Sequence, residues 1–152
     1  MSDLRVRDAV ASDRGALNAL THASSAYKGD YAAILDGYEI SAEQMERDAF
    51  RVAERAGAIV GYYSLTLQPE PELDLMFVAD SEQGAGLGAL LFEDLLAAAR
   101  TRGIAEVKIV SNPPAAPFYR RMGASVVGIE PPRGRVTWER PILRIATGGS
   151  RT

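Results

Sequence analysis

Apolar and charged residues alternate over residues 4–9, the period of a half-buried strand, and the spacing then becomes helical, with Ala16, Leu17, Ala19 and Leu20 on one face behind a cap at Ser12 or Asp13. The chain is therefore predicted to open as strand, then helix. Residues 27–38 are weakly helical with aromatics at Tyr27, Tyr31 and Tyr38, a composition suited to a lid over a pocket. Ser41 and Gln44 have capping-box spacing for a helix through Ala49. Residues 50–55 and 58–67 read as strands joined by a tight turn at Ala56-Gly57, and residues 68–71 interrupt the chain before a third strand at 73–78. Such short connections imply an antiparallel meander.

Helical spacing returns at residues 86–102, through Leu87, Leu90, Leu91, Leu95 and Ala98, with Gly103 as the stop. A short strand at 107–110, a short helix at 115–122 ending at Gly123, and strands at 125–129 and 142–145 complete the pattern. The expected architecture is one α/β domain over residues 1–147 with a mostly antiparallel sheet, followed by a disordered tail at 148–152.

Composition narrows the chemistry. The 152 residues are 47% hydrophobic, enough for one core, and 17 basic against 20 acidic side chains give a net charge of -3 without a block of either sign. Nucleic acid and membrane are thus not the expected partners, and charges spaced through residues 1–10 do not resemble a secretion signal, so a soluble, cytoplasmic protein is expected. The absence of cysteine removes disulfides, thiolate metal sites and a cysteine nucleophile, and His22 alone offers little scope for a serine–histidine relay. No metal is called for.

The most informative segment is Gln83-Gly84-Ala85-Gly86-Leu87-Gly88, between a predicted strand and the start of the longest predicted helix. Glycines permit a sharp turn and close approach of a ligand to backbone N–H groups, and the first helical turn offers free donors and a favourable dipole to an anion. A pyrophosphate suits such a turn better than the plain alternative of a glycine-rich helix entry. Through Ala89 the string also satisfies the dinucleotide pattern G-x-G-x-x-G/A, which would suit a nicotinamide oxidoreductase. Against that reading, the loop lies mid-chain and the next strand ends in Ser111-Asn112, without the acidic residue that would bind ribose.

Gln83, Gly86 and Gly88 instead occupy the specified positions of [QR]-x-x-G-x-[GA], and the run from Asn112 through Ala115, Phe118 and Tyr119 to Gly123 resembles N-x-x-A-x-x-F-Y-x-x-x-G. In these two blocks and their order the chain resembles the GNAT superfamily of N-acetyltransferases. The departures are Pro113, Pro114 and Pro117, the last tolerable only in a helix's first turn.

The resemblance implies a GNAT-like fold, a mostly antiparallel central mixed sheet flanked by helices, that splays after the strand ending near Ala79 and binds acetyl-CoA across the splay. It implies that backbone at Met76, Phe77 and Val78 holds the pantetheine arm, that the turn formed by Gln83, Gly84, Ala85, Gly86, Leu87, Gly88 and Ala89 holds the pyrophosphate, and that Asn112 and Tyr119 stand near the cofactor. Tyr119 is then the candidate acid for the departing thiolate, with a core aromatic as the alternative. The acceptor amine must lose a proton, and Glu72 is the first candidate base, Asp74 the second. Strict alternation puts Glu72, Asp74 and Met76 on one strand face and Leu73, Leu75 and Phe77 on the other; the carboxylates can equally be solvated surface charges. Arg133, Arg135 and Trp138 are candidates for an acceptor pocket favouring a carboxylate, or for a solvated loop. The expected activity is direct acetyl transfer to an amine, of a small molecule or a peptide. A catalytically silent acyl-CoA sensor is the rival reading. Sheet edges and the final strands are where such folds pair, so a homodimer is the assembly to test.

Overall fold

The computed structural model describes residues 3–24, 35 and 37–148. Most of the lid expected at 27–38 and residues 149–152 of the tail lie outside them. Strand β1 (Leu4–Asp8) leads through a 3-10 turn at Ala11–Asp13 into helix α1 (Arg14–Ala23), and helix α2 (Ala42–Arg47) precedes strands β2 (Ala49–Arg55), β3 (Ala58–Thr66) and β4 (Glu72–Val78). Helix α3 (Leu87–Thr101), strand β5 (Glu106–Val110), helix α4 (Ala116–Arg121) and strands β6 (Ser125–Glu130) and β7 (Arg140–Ala146) follow.

The seven strands form one sheet in the order β1-β2-β3-β4-β5-β7-β6. All neighbours are antiparallel except β4 and β5, which run parallel because α3 crosses over between them. That pair registers only at Glu72 with Lys108 and Leu73 with Ile109, so the sheet splays from Asp74 onward and leaves an unpaired edge of β4.

Each sheet face carries its own core. Leu87, Leu91, Phe92, Leu95, Leu96 and Ala99 of α3 recur at helical spacing and pack with Tyr63, Leu65, Leu73, Val107, Ile109 and Leu143. Gly61 lets α3 approach, since a Cβ there would stand 3.0 Å from Leu91 Cδ1 and 3.2 Å from Leu87 Cδ2. On the opposite face Leu17, Ile40, Phe50, Val52, Tyr62 and Phe77 pack together, with the rings of Phe50, Tyr62 and Phe77 stacked in series.

Several expected details differ. The inner face of α1 is Leu17, Asn18 and Thr21, whereas Ala16 and Ala19 are exposed. Polar groups can occupy this face because they are satisfied: Asn18 accepts from the Ile40 N–H at 2.7 Å, and the Thr21 hydroxyl meets the Leu17 carbonyl and the Tyr62 hydroxyl. Asp13 makes no forward cap. Its carboxylate accepts from the Val10 N–H at 2.8 Å and from Arg7, whose pairing holds it below the usual carboxylate range. Ser41 does accept from the Gln44 N–H, at 3.0 Å, but α2 stops at Arg47 because Ala49 already belongs to β2. The hairpin turn is as expected, with Ala56 and Gly57 at φ 53° and 85°, the positive pair a two-residue turn needs. No described helix is long and apolar enough to cross a membrane.

Candidate active site

Beyond β4 the chain makes a 3-10 turn at Asp80–Glu82 and then two left-handed steps, Gly84 at φ 81° and Gly86 at φ 83°, before α3 begins. A Cβ at either glycine would meet nothing within 4 Å, so the backbone conformation, not crowding, demands glycine. The first intrahelical bond runs from the Leu90 N–H to the Gly86 carbonyl, which leaves the N–H groups of Gly86, Leu87, Gly88 and Ala89 without an intrahelical acceptor, and the N-cap, Gly86, has no side chain to cap them. These donors head a 15-residue helix and so stand at the positive end of its dipole.

Gln83, Gly84, Gly86, Leu87, Gly88 and Ala89 line a cavity of about 510 Å³ together with Met76, Val78, Phe118, Tyr119 and Arg121. The Gln83 side-chain amide donates to the Val78 carbonyl at 3.4 Å and ties the turn to the end of β4. Ala85 does not line the cavity; its N–H donates to Glu82. Helix α4 closes the far wall. The Phe118 ring would lie 3.7 Å from a Cβ on Gly88, and Tyr119 packs its ring 5.8 Å from Phe92 and 5.3 Å from Phe118. Pro117 sits in the first turn of α4, where its missing N–H breaks no bond. Asn112 is buried at the end of β5, its Oδ1 without a hydrogen-bond partner, but it borders neither this cavity nor the next.

The two carboxylates lie on the other side of the sheet. In the β3–β4 register Ser64 faces Leu75 and the next residue, Leu65, faces Leu73, so Asp74 is the extra residue of a bulge. The bulge reverses the alternation. Leu73, Met76 and Val78 pack toward α3, whereas Leu75 and Phe77 join the α1 side. The expected grouping of Met76 with Glu72 and Asp74 is therefore wrong: Met76 lines the glycine-turn cavity, and Glu72 and Asp74 line a separate cavity of about 400 Å³ with Tyr38, Gln44, Arg47, Phe77, Val110 and Arg140. Phe77, expected to help hold a cofactor, turns its side chain away from the glycine turn to stack on Tyr62.

Burial raises the pKa of Glu72, opposed by Lys108 and reinforced by Asp74, Glu70 and Glu130. Asp74 retains solvent contact within its concave surroundings, yet it too is raised, first by desolvation and then by Asp48, with Arg47 opposing. Gln44 donates to the Tyr38 hydroxyl at 2.9 Å and approaches Asp74 Oδ2 at 3.5 Å, so α2 forms part of this wall. Among the described residues no group of three or more His, Asp or Glu could hold a metal ion.

Arg133 extends into solvent and pairs with Glu130 at 2.8 Å; neither it, Arg135 nor Trp138 lines the carboxylate cavity. Arg121 and Arg140 were not anticipated. Arg121 lies two residues after Tyr119, within the block that runs to Gly123, a signal available in the sequence, whereas Arg140 precedes the expected start of the last strand.

The acetyltransferase (GNAT) domain family matches residues 12–133, four-fifths of the chain. The 5-NmdU N-acetyltransferase of Pseudomonas phage PaMx11 is 36% identical over 80 residues, which span 51% of this chain and 57% of that protein. Solved structures share the fold at low identity. The ribosomal-protein-S18-alanine N-acetyltransferase of Escherichia coli superposes with TM-score 0.73 at 18% identity, covering 97% of this chain and 96% of that one. The Salmonella typhimurium protein yncA, solved with its cofactor acetyl-CoA, superposes with TM-score 0.74 at 18% identity, covering 99% of this chain and 98% of that one. With a family match over most of its length and a sheet of the same architecture, the chain belongs to the acetyltransferase (GNAT) family of acyltransferases.

Proposed function

We propose that this protein transfers the acetyl group of acetyl-CoA directly to an amine. The observation that carries the reading is the pair of cavities on opposite faces of β4, bordered by adjacent residues of its unpaired part, Met76 and Val78 on one side and Phe77 on the other. One offers free N–H donors, a helix dipole and Arg121, which suit a pyrophosphate. The other offers raised carboxylates beside an aromatic wall, which suit an ammonium that must be deprotonated.

Acetyl-CoA supplies the acetyl group and leaves as the thiol. The backbone of Met76, Phe77 and Val78, on the open edge of β4, orients the pantetheine arm, and the turn from Gln83 to Ala89 holds the diphosphate. Glu72, with Asp74 as its alternate, accepts the proton that frees the amine lone pair. Tyr119, on the cofactor side, gives a proton to the sulfur. Asn112 acts from behind the splay by holding the loop that leads to α4.

The test is a thermal-shift titration with CoA, ATP and NADH, followed by an acetyl-CoA consumption screen over amino acids, polyamines, aminoglycosides and peptide N-termini. CoA should raise the melting temperature most, because a ligand of the folded state stabilises it by mass action. Equal shifts from all three ligands overturn the reading. A large CoA shift with no acceptor anywhere in the screen supports a silent CoA-binding module instead.

A further inference from the structure

The cavity holding Glu72 and Asp74 has a second, cationic pole that proton transfer does not use. Arg140, the first residue of β7, lines it. Its register partner on β6 is Glu130, the natural counter-ion, but Glu130 is taken by Arg133 at 2.8 Å. Arg140 Nε is consequently buried without a hydrogen-bond partner, and among the described residues its guanidinium belongs to no ion pair. The other cation of the cavity, Arg47, is already occupied by Asp48 at 3.0 Å. Nε itself is closed off, but the guanidinium brings to the cavity wall a charge that no carboxylate among the described residues answers, which suits its outer nitrogens to a ligand anion.

We propose that Arg140 binds an anionic group of the acceptor, so that the preferred acceptor is an amine that also carries a carboxylate or a phosphate. Its ammonium faces Glu72 and Asp74, and its anion faces Arg140. This subsite rests on the acetyl-transfer reading above and gives that site its substrate class. Charge separation within the cavity supports it: the carboxylates project from β4 and Arg140 from β7, with β5 between them. Arg140 lies four residues along β7 from Arg144, the residue level with Glu72 through Lys108, so the two poles stand at different levels of one cavity of about 400 Å³, and a zwitterion held in it meets both. An arginine also suits either anion through its forked donors.

The experiment compares matched acceptors on the full chain. Straight-chain amino acids from glycine upward are set against their amides, and aminoalkyl phosphates against the corresponding amino alcohols. Initial acetylation rates at limiting acceptor are measured for the wild type, Arg140→Gln, Arg140→Lys and Arg133→Gln, and CoA-induced thermal shifts are recorded for each.

The wild type should prefer the anionic member of at least one pair, and Arg140→Gln should shrink that preference by about 10- to 100-fold, the range of a charge-assisted hydrogen bond. Taking the ratio between variants cancels the different basicities of the paired amines. Arg140→Lys should recover part of the preference, and Arg133→Gln, which frees Glu130 to pair with Arg140, should weaken it. Whether the carboxylate or phosphate pair responds identifies the anion. If CoA produces no shift in the wild type, the acetyl-transfer reading falls and the subsite with it. If CoA binds but no anionic amine reacts faster, or shifts the CoA-loaded protein further, than its neutral partner, the subsite alone is overturned. A preference that survives Arg140→Gln overturns it as well.

Discussion

Leu73 and Leu75, two residues apart on β4, pack on opposite faces of the sheet, because Asp74 between them is the extra residue of a bulge. Strict alternation would have placed both on one face. The bulge presents Met76 and Val78 to the glycine-turn cavity while Glu72 and Asp74 border the cavity on the other side. A single strand thereby faces both proposed substrates.

Glu72→Gln should lower turnover about 100-fold at neutral pH, a typical general-base contribution, and progressively less as pH rises toward the pKa of the free amine, roughly 10.4. Because burial raises the Glu72 pKa, the acid limb of the wild-type profile should lie above the ordinary carboxylate range. A pH–rate profile of both proteins checks this. A limb that persists in Glu72→Gln and vanishes in Asp74→Asn would transfer the role to Asp74.

The same carboxylates should reduce stability. A pKa raised in the folded state means that, between the unfolded and folded values, the native protein binds more protons than the unfolded chain, so stability falls as pH rises through that window. Glu72→Gln and Asp74→Asn are therefore expected to melt higher than wild type at neutral pH. The gain should fade once pH drops below the unfolded carboxylate range, roughly 4. Melting curves across that range decide the point, and a gain independent of pH would contradict it.

Gly86→Asp puts a side chain on a residue at φ 83° and a negative charge at the helix N-terminus. The left-handed conformation should cost roughly 1 kcal/mol of stability, with no clash because the space around the missing Cβ is open. Affinity for CoA should fall by at least about 100-fold, as the carboxylate meets the diphosphate where N–H groups should. Calorimetric titration of the folded variant measures it, and affinity within about twofold of wild type would remove the turn from the cofactor site.

Tyr119→Phe keeps the ring that packs against Phe92 and Phe118 and removes only the hydroxyl. Turnover should drop roughly 10- to 1,000-fold with CoA affinity nearly unchanged. An acyl donor with a more acidic thiol should recover much of the loss, since its leaving group needs less protonation. Equal slowing with both donors would make Tyr119 a packing residue.

The strand and helix order was legible along the chain because burial imposes local periods: alternation over residues 4–9 became β1, and the leucine spacing after Gly86 became α3. The glycine turn was legible for a related reason, since a left-handed backbone step restricts the residue at that position itself. The sidedness of Glu72 and Asp74 was not, because the bulge is fixed by how β3 pairs with β4, residues far apart in sequence. Nor was Arg140, whose isolation depends on Arg133 capturing Glu130 across a loop. Asn18 and Thr21 entered the core through bonds to Ile40 and Tyr62, partners no local pattern names. The sequence alone determined the elements, their order and the glycine turn, since each follows from the preferences of neighbouring residues. Only the tertiary structure decided which side chains share a cavity and which charges are left unpaired, because those depend on contacts between distant segments.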